Sequence, residues 1–390
     1  MSVRKRTWVT RRGEAREAWV VNYTDQQSTR HLKTFERKKD ADAYRATVNV
    51  DVRAGVHTSG KHTLAEAGAK WIQDGEGRLE PATVESYQQH LNNHIAPLIG
   101  AVKLSQFTVP LVREFMDKLR SQGRSPDMIK RVVGDLSSIL ADAQERGWVS
   151  QNVVRSLSHR KKRRKAERRQ KSKLEVGVDI PSPEEIRAIV AHLKGRWRPL
   201  ILTAIFTGLR ASELRGLPWS AVDLKKAQLH VRQRADKFNT IGMPKSESGQ
   251  RTVPMPPILV NTLREWRLAC PKSELGLVFP TGSGQIEYHS NIVVRGLAPA
   301  QIAAGVRTKD GKAKYTGLHA LRHFYASWCI NQKEDGGLGL PLKVVQHRLG
   351  HSTIQMTADV YSHLFRGDND GAELAAAQKA LLGPYDTAAT

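Results

Sequence analysis

The sequence predicts a multidomain protein that is mainly α-helical and carries small β-sheets. Its 390 residues are enough for two or three domains with hydrophobic cores of their own. Strand-type patterns occur in residues 1–35 and 227–254, whereas helix-type spacing of apolar residues dominates most of the remainder. We therefore expect an α+β N-terminal module, an all-α second domain and a mainly-α third domain with a small antiparallel sheet.

The composition favours a nucleic-acid partner. Lys and Arg together number 62 against 38 Asp and Glu, which gives a formal net charge of +24. An excess of this size favours polyanionic partners, of which nucleic acid is the commonest. An acidic membrane surface is the alternative. However, the longest apolar run, residues 200–209, is interrupted by two threonines and a glycine and is too short to cross a bilayer.

The N-terminus and the cysteines argue against other classes of protein. No apolar segment follows the basic N-terminus, so we do not expect a signal peptide. The two cysteines, Cys270 and Cys329, are far apart and have no partners at metal-ligand spacing, which argues against a disulfide scaffold and a zinc finger. We expect a soluble, intracellular nucleic-acid-binding protein without a metal or another cofactor.

The first 55 residues have the pattern of a small sheet followed by a helix. Residues 8–10, 19–23 and 31–35 are rich in strand-forming types, and residues 38–53 place apolar side chains on one helical face. Many Arg and Lys fall on the strands and turns. They favour a β-ribbon that enters a DNA groove over the alternative of a solvated basic face.

The next hundred residues predict a compact all-α domain. Thr63 and Glu66 have capping-box spacing, and Pro81, Pro110 and Pro126 each begin a stretch with helical periodicity. Four amphipathic helices, ending near residue 147, are enough for a helical bundle. A lone helix-turn-helix repressor is the structural alternative, but no two-helix unit stands out.

Residues 159–173 contain a dense run of Lys and Arg. Like charges at this density cannot be buried together, so the run is expected to be disordered in isolation. We favour a strap that follows the phosphate backbone, where each neutralised phosphate releases counterions. A solvated tether and a nuclear-localisation signal are the alternatives.

From Pro181 onward the pattern is mainly helical. An acidic first turn follows Pro181, and residues 197–206 predict a buried helix. Short strands are expected at residues 227–232 and 250–254, on either side of a turn at 244–249. An Ala-rich helix at 372–382 is suited to packing on a neighbouring molecule.

Two pairs of residues in this last region could bind a phosphate. Arg210 and Glu213 lie three residues apart, so on a helix the carboxylate can hold the guanidinium in place. His319 and Arg322 repeat that spacing on another helix. Two guanidiniums that converge on one phosphate can bind its non-bridging oxygens and stabilise a pentacovalent transition state.

Two further residues could complete a phosphoryl transfer. Lys245 lies at the predicted turn, where its ammonium could reach a leaving oxygen, and Tyr361 supplies a phenol that nearby positive charge could activate as a nucleophile. Each of these residues alone is more often a surface charge or a core side chain. In combination, and without a carboxylate cluster or a Gly-rich phosphate loop, they indicate metal-free phosphoryl transfer through a covalent tyrosine ester.

The set resembles the tyrosine recombinases, and within that family the phage integrases that have an N-terminal arm-binding domain. The similar segments are Thr-Gly-Leu-Arg-Ala-Ser-Glu-Leu at 207–214, Pro-Lys-Ser at 244–246, His-Ala-Leu-Arg-His at 319–323, Leu-Gly-His at 349–351 and the segment around Tyr361. Their order and separations are similar to the family's throughout residues 180–365.

The resemblance implies a role for each residue of the set. Arg210, His319 and Arg322 would hold the scissile phosphate, His351 would hydrogen-bond it, Glu213 would support Arg210, Lys245 would be the general acid for the 5′ oxygen, and Tyr361 would form the 3′-phosphotyrosyl intermediate. That ester conserves the bond energy, so neither ATP nor a metal would be required. Attack by a 5′-hydroxyl of the partner strand would then exchange strands through a Holliday junction.

Two positions qualify the resemblance. Ala320 stands where the family commonly has an aspartate that is not itself catalytic, so the departure concerns the local support of the helix and not the mechanism. Lys237 lies in the same strand–turn region as Lys245. We prefer Lys245 because the family's lysine precedes a turn and a strand of the type that begins here at Arg251.

The resemblance also implies the domain organisation. It assigns residues 1–58 to an arm-type DNA-binding domain, 62–157 to a helical core-binding domain, 158–175 to a basic linker, and 176–390 to the catalytic domain with a C-terminal helix or tail. The expected partners are double-stranded DNA with core-type and arm-type attachment sites, and three further copies of the chain in a tetramer on DNA. Integrases with an arm domain usually also use a host DNA-bending protein and an excisionase.

The implied function is integration of a phage or prophage genome at attachment sites in the cytoplasm of a bacterial host. Excision would require an accessory factor. The integrase of a transposon or conjugative element is an open alternative. A type IB topoisomerase and a catalytically inactive DNA-binding protein are weaker alternatives.

Overall fold

The structure is a computed structural model that describes residues 2–9, 15–24, 30–53, 62–161, 174–364 and 378. The chain forms two compact units, Met1–Glu167 and Arg168–Thr390. In these described ranges, no helix is both long enough and apolar enough to span a membrane. The predicted mainly helical architecture with small antiparallel sheets is confirmed.

The N-terminal module is a three-stranded antiparallel sheet in the order β1-β2-β3, followed by one helix. Its elements are β1 (Ser2–Val9), β2 (Ala15–Thr24), β3 (Arg30–Phe35) and α1 (Lys38–Arg53). Ala41 and Val48 of α1 pack with Val21 and Tyr23 of β2, which form a small core. The three strands and the helix were all predicted, although β1 begins at Ser2 and not at residue 8.

The remainder of the first unit is helical. Its helices are α2 (Leu64–Gly75), α3 (Pro81–His90), α4 (Ala96–Ile99), α5 (Val109–Ser121), α6 (Pro126–Glu145) and α7 (Val153–Lys161). A π-helical segment, Leu91–Ile95, joins α3 to α4. The predicted capping box is present, because Thr63 accepts from the Glu66 N–H and Glu66 accepts from the Thr63 N–H.

Helix α7 was not predicted, and it extends beyond residue 157 into the range that the sequence assigned to the linker. Its beginning is fixed by a contact that is distant in sequence. The Asn152 amide donates to the Ser137 carbonyl at 2.7 Å, and its oxygen accepts from the Val154 N–H at 3.2 Å. Val153 and Val154 are buried in the helical core. Residues 162–173 of the predicted linker lie outside the described residues.

The second unit is built around one buried helix. Its helices are α8 (Pro183–His192), α9 (Trp197–Thr207), α10 (Ala211–Arg215), α11 (Pro257–Ala269), α12 (His289–Asn291), α13 (Ala298–Ala303), α14 (His319–Ile330), α15 (Leu342–Leu349) and α16 (Ile354–Tyr361). Helix α9 is buried along most of its length and packs against α11 and α14.

Two small sheets complete the second unit. Strands β4 (Val222–Asp223), β5 (Gln228–Val231) and β8 (Arg251–Pro254) form an antiparallel sheet in the order β4-β5-β8, and β6 (Arg234–Ala235) pairs with β7 (Ile241–Gly242). Strands β5 and β8 were predicted. The other three have two residues each, which is too short for an alternating pattern. The Ala-rich helix predicted at 372–382 lies outside the described residues, apart from residue 378.

Candidate active site

The first part of the site forms where α9 ends. Gly208 adopts φ +60° at the C-cap of α9, and a Cβ at this position would overlap the ring of Tyr325, so both its backbone conformation and its surroundings require glycine. Arg210 follows as the N-cap residue of α10. Its guanidinium donates to Glu213 Oε1 at 2.8 Å and to the Gly350 carbonyl at 2.9 Å. The side chain is 37% exposed, so donors remain open to solvent.

Glu213 is held by a second arginine for which sequence reasoning proposed no function. The Arg251 guanidinium donates to both carboxylate oxygens of Glu213, at 3.1 and 2.8 Å, and Nε donates to the Arg348 carbonyl at 2.7 Å. Burial alone would raise the pKa of the Glu213 carboxyl. The hydrogen bonds and charge of Arg251, together with the charge of Arg210, outweigh burial and hold this pKa below its ordinary value.

Arg322 binds the carbonyl next to the one that Arg210 binds. Its guanidinium donates to the Gly208 carbonyl at 2.7 Å and to the Leu349 carbonyl at 2.6 Å. Leu349 and Gly350 are consecutive, so Arg210 and Arg322 converge on two adjacent peptide groups. Burial, with the charges of Arg210 and Arg251, lowers the pKa of Arg322 to about 9. The guanidinium therefore stays charged at neutral pH.

His351 directly follows the Leu349–Gly350 turn, whose carbonyls accept hydrogen bonds from Arg322 and Arg210. Gly350 caps α15 with φ +66°, and a Cβ there would lie 2.9 Å from both Arg251 Nη1 and the Ser248 carbonyl. The next residue, His351, is hydrogen-bonded through Nδ1 to Thr357 Oγ1 at 2.9 Å, which fixes its ring. Burial and the nearby arginine charges lower the pKa of His351 to about 4, so its imidazole is neutral at pH 7.

His319 and Tyr361 also belong to the cluster. His319 is the first residue of α14, and burial of its ring followed by the charges of Arg322 and Arg210 lowers its pKa. Tyr361, the last residue of α16, is 1% exposed. Burial raises the pKa of its phenol to about 12, against the opposing influence of the Arg322 charge.

His323 is a member of the cluster for which sequence reasoning proposed no role. Its Nδ1 lies 2.6 Å from Tyr361 Oη, and its ring meets the ring of His319 edge-on at 4.5 Å between centroids. Burial, with the charges of His319 and Arg322, lowers the pKa of His323 to about 4. The available signal was its position one residue after Arg322. That position alone did not reveal a partner 38 residues away.

The structure does not bring Lys245 into hydrogen-bond contact with this cluster. Lys245 is exposed in the segment between β7 and β8, just before the 3₁₀ turn Glu247–Gly249. Lys237 is exposed in the turn of the β6–β7 hairpin, and its ammonium lies 5.1 Å from the centroid of the Phe238 ring. The segment that carries Lys245 is connected to the cluster through Gly249, whose carbonyl accepts from Arg251 at 2.9 Å.

The cluster has the chemistry of an anion site. Two guanidiniums converge on one turn, three imidazoles of lowered pKa adjoin them, and a phenol lies within the electrostatic influence of Arg322. Each guanidinium has five N–H donors, and the contacts above use only some of them. The remaining donors are available to phosphate oxygens. The described residues contain no group of three or more His, Cys, Asp or Glu placed to hold a metal ion.

Comparisons with known proteins agree with this chemistry. Residues 182–367 match the model of the phage integrase family, and residues 63–120 match the phage integrase N-terminal SAM-like domain. A protein of Caldanaerobacter subterraneus described as "Tyrosine recombinase XerC-like" is 30% identical over 356 residues, covering 84% of this chain and 86% of its own length. The chain belongs to the tyrosine recombinases, in the phage integrase family. It is therefore a site-specific recombinase, an enzyme of DNA recombination.

Solved structures of low sequence identity share the fold. The Tn1549 transposon integrase in complex with a circular intermediate DNA has a TM-score of 0.64 at 17% identity, covering 82% of this chain and 99% of its own. A lambda integrase tetramer bound to a Holliday junction has a TM-score of 0.55 at 15% identity, covering 89% and 95%. At these identities the likeness shows the fold alone.

Proposed function

We propose that this recombinase cuts and rejoins DNA through a 3′-phosphotyrosyl ester on Tyr361 and so integrates a phage or prophage genome at attachment sites. The observation that carries the proposal is the convergence of Arg210 and Arg322 on the Leu349–Gly350 turn, beside His351. Two guanidiniums bound to consecutive carbonyls of one turn suit a single phosphate with two non-bridging oxygens. Arg210 is the more exposed of the two and would meet the phosphate first.

The proposed reaction balances without a cofactor. Tyr361 Oη forms a bond to phosphorus and releases its proton to water, the bond from phosphorus to the 5′ oxygen breaks, and that oxygen takes a proton from the Lys245 ammonium. His319, Arg322 and Arg210 stabilise the pentacovalent transition state by charge and hydrogen bonds. In the second step a 5′-hydroxyl of the partner strand attacks the ester and gives its proton to the Lys245 amine. The leaving Tyr361 phenolate takes a proton from water, which regenerates the phenol and completes one strand exchange through a Holliday junction.

We propose that the flanking domains bind DNA and that four copies of the chain act together. Residues 1–58 would bind arm-type sites, 62–157 core-type sites, and the linker at 158–175 the phosphate backbone. The tetramer of lambda integrase on a Holliday junction supports this assembly by fold likeness. The bacterial source of the XerC-like relative supports action in a bacterial cytoplasm. A host DNA-bending protein and an excisionase would be the accessory partners.

The other candidate is an integrase of a transposon or conjugative element. The specific observation in its favour is the fold likeness to the Tn1549 transposon integrase. Chemistry and domains would be the same in both cases, so the proposals differ only in the DNA that is moved. The DNA flanking the gene would distinguish them, because a prophage carries capsid and tail genes between its attachment sites.

The test of the chemistry is a nicked suicide duplex that carries the attachment core, incubated with the protein in the presence of a metal chelator. Nicking beside the cleavage point lets the short fragment diffuse away and traps the covalent adduct for a denaturing gel. Wild type should give an adduct, and Tyr361→Phe should bind the duplex equally well without forming one. An adduct in Tyr361→Phe would move the nucleophile elsewhere, and no adduct from wild type despite binding would favour an inactive DNA-binding protein.

A plasmid assay separates recombination from topoisomerase activity. A supercoiled plasmid without an attachment site should remain supercoiled in the presence of the wild-type protein, whereas a type IB topoisomerase would relax it. A plasmid with two attachment sites should yield recombinant products. Relaxation of the site-free plasmid that depends on Tyr361 would replace the recombinase proposal with the topoisomerase alternative for this chain.

A further inference from the structure

Among the residues that the structure describes, the nucleophile proposed above is hydrogen-bonded through Oη to His323, which is not among the residues assigned to the phosphate. Tyr361 Oη and His323 Nδ1 are 2.6 Å apart, with ring centroids 5.7 Å apart and ring planes inclined by 57°. The phenol is otherwise enclosed, since Tyr361 is 1% exposed. A buried hydroxyl without a partner is costly, so this contact strongly constrains where Oη can lie.

The contact also connects the nucleophile to the helix that binds the phosphate. His323 lies directly after Arg322 in α14, and its ring packs edge-on against His319 at 4.5 Å. His319, Arg322 and His323 therefore share one rigid element. A hydrogen bond from Tyr361 to this element sets the phenol in register with the two residues proposed to hold the phosphate.

We propose that His323 is a positioning residue for the recombination reaction: its Nδ1 accepts the hydrogen bond of the Tyr361 phenol and fixes Oη relative to the phosphate site on α14. The proposal rests on the proposed function, because it presupposes Tyr361 as the nucleophile. In this arrangement the proton resides on His323 Nε2 and the phenol remains the donor. His323 itself makes no contact with the phosphate.

The acid–base properties of the pair favour positioning over proton abstraction. Burial lowers the pKa of His323 to about 4 and raises the pKa of Tyr361 to about 12. A proton on the phenol therefore has little tendency to move to the imidazole, whereas a neutral imidazole is a good acceptor of a hydrogen bond. The phenol proton would leave only when Oη bonds to phosphorus, and it would then pass to water and not to the imidazole.

Two substitutions at His323 separate positioning from other roles. In His323→Asn the amide oxygen can occupy nearly the place of Nδ1, so an acceptor is kept but no group that can take up a proton remains. In His323→Leu a side chain of similar size remains without an acceptor. The matched control is His230→Leu, since His230 is half-buried and hydrogen-bonded to Thr252 in the small sheet, outside the cluster.

The measurement is the single-turnover rate of adduct formation on the nicked suicide duplex, with DNA affinity and melting temperature determined for each variant. His323→Leu should lose about 10- to 100-fold in cleavage rate, the scale expected when a reacting group is misplaced by about 1 Å. His323→Asn should stay within about 3-fold of wild type, and its pH–rate profile should keep the wild-type shape, as should that of His230→Leu. DNA affinity should be unchanged throughout.

Each contrary outcome overturns a distinct statement. Cleavage by His323→Leu at the wild-type rate would show that the hydrogen bond does not position the phenol. Equal loss in His323→Asn and His323→Leu, with an altered pH–rate profile in both, would replace positioning with proton transfer. If His323→Leu does not fold, His323→Asn still tests the proposal, because a loss well beyond about 3-fold in that variant would contradict an acceptor-only role. An adduct in Tyr361→Phe would refute the proposed function instead, irrespective of His323.

Discussion

Arg251 and Glu213 form an ion pair that is closed to solvent, with side chains 0% and 2% exposed. The same carboxylate also holds Arg210, and the same guanidinium binds the carbonyls of Gly249 and Arg348. One buried pair thus joins the first arginine of the site, the segment that carries Lys245 and the helix that precedes His351. Formation of the site and stability of the second unit should therefore depend on each other.

Replacing Arg251 should reduce stability strongly. Arg251→Met keeps most of the side-chain volume but leaves a buried carboxylate without its main partner, for which we expect a loss of about 3–5 kcal/mol. The measurement is the free energy of unfolding, or the melting temperature, of the full chain. Arg264→Met is the matched control, because Arg264 is exposed and, among the described residues, its side chain hydrogen-bonds to Asn261 of the same helix. A loss below about 1 kcal/mol would contradict the central position of the pair.

The sequence predicted the framework of this region but not the pair that holds it together. The capping-box spacing at Thr63, the prolines at helix starts and the acidic first turn after Pro181 are local signals. They located α2, α3, α5, α6 and α8. Arg251 and Glu213 are 38 residues apart, and His323 and Tyr361 are separated by the same distance. Spacing along a helix or strand cannot reveal such pairs, since they form only when the fold brings separate elements together.

The segments that escaped prediction have a similar physical cause. Strands β6 and β7 have two residues each, so they produce no alternation. The start of α7 depends on Asn152 reaching the Ser137 carbonyl, and the basic run immediately after it resembles a linker. By contrast, Arg210, Glu213, Arg322 and His351 lie in short motifs, and the structure brings all four together around one turn.

Acid should destabilise the folded chain through its buried histidines. The folded pKa of His351 is about 4, below its ordinary value of 6.5, so between these values the unfolded chain binds the proton and the folded chain does not. Stability should fall as the pH decreases from 6.5 towards 4, and this contribution should change no further below about 4. His351→Gln should therefore show a smaller drop in melting temperature between pH 7 and pH 5 than wild type. His192→Gln, which replaces an exposed residue of α8, should show the same drop in melting temperature as wild type.

Lys245 and Lys237 can be distinguished by changing the leaving group. Lys245→Ala should slow cleavage of an ordinary duplex by about 10²- to 10⁴-fold, the usual contribution of a general acid. A duplex with sulfur in place of the 5′ bridging oxygen should restore most of that rate, because a thiolate leaves without a proton. Lys237→Ala should behave as wild type on both duplexes. If the sulfur-substituted duplex restored the cleavage rate of Lys237→Ala instead, Lys237 would be the general acid. If Lys245→Ala cleaved slowly on both duplexes, Lys245 would have a role in binding and not in proton transfer.

The N-terminal sheet should contribute affinity for a second DNA site without taking part in cleavage. Arg4 and Arg6 are both exposed on β1, and we expect each to neutralise about one phosphate. Arg4→Gln combined with Arg6→Gln should weaken binding to arm-type DNA and reduce the slope of log affinity against log salt by about 2. Cleavage of a core-only suicide duplex should be unchanged. If the double variant also cleaved the core-only duplex more slowly, this sheet would take part in the catalytic step. If the slope of log affinity against log salt were unchanged, the basic face of the sheet would be a solvated surface that does not bind DNA.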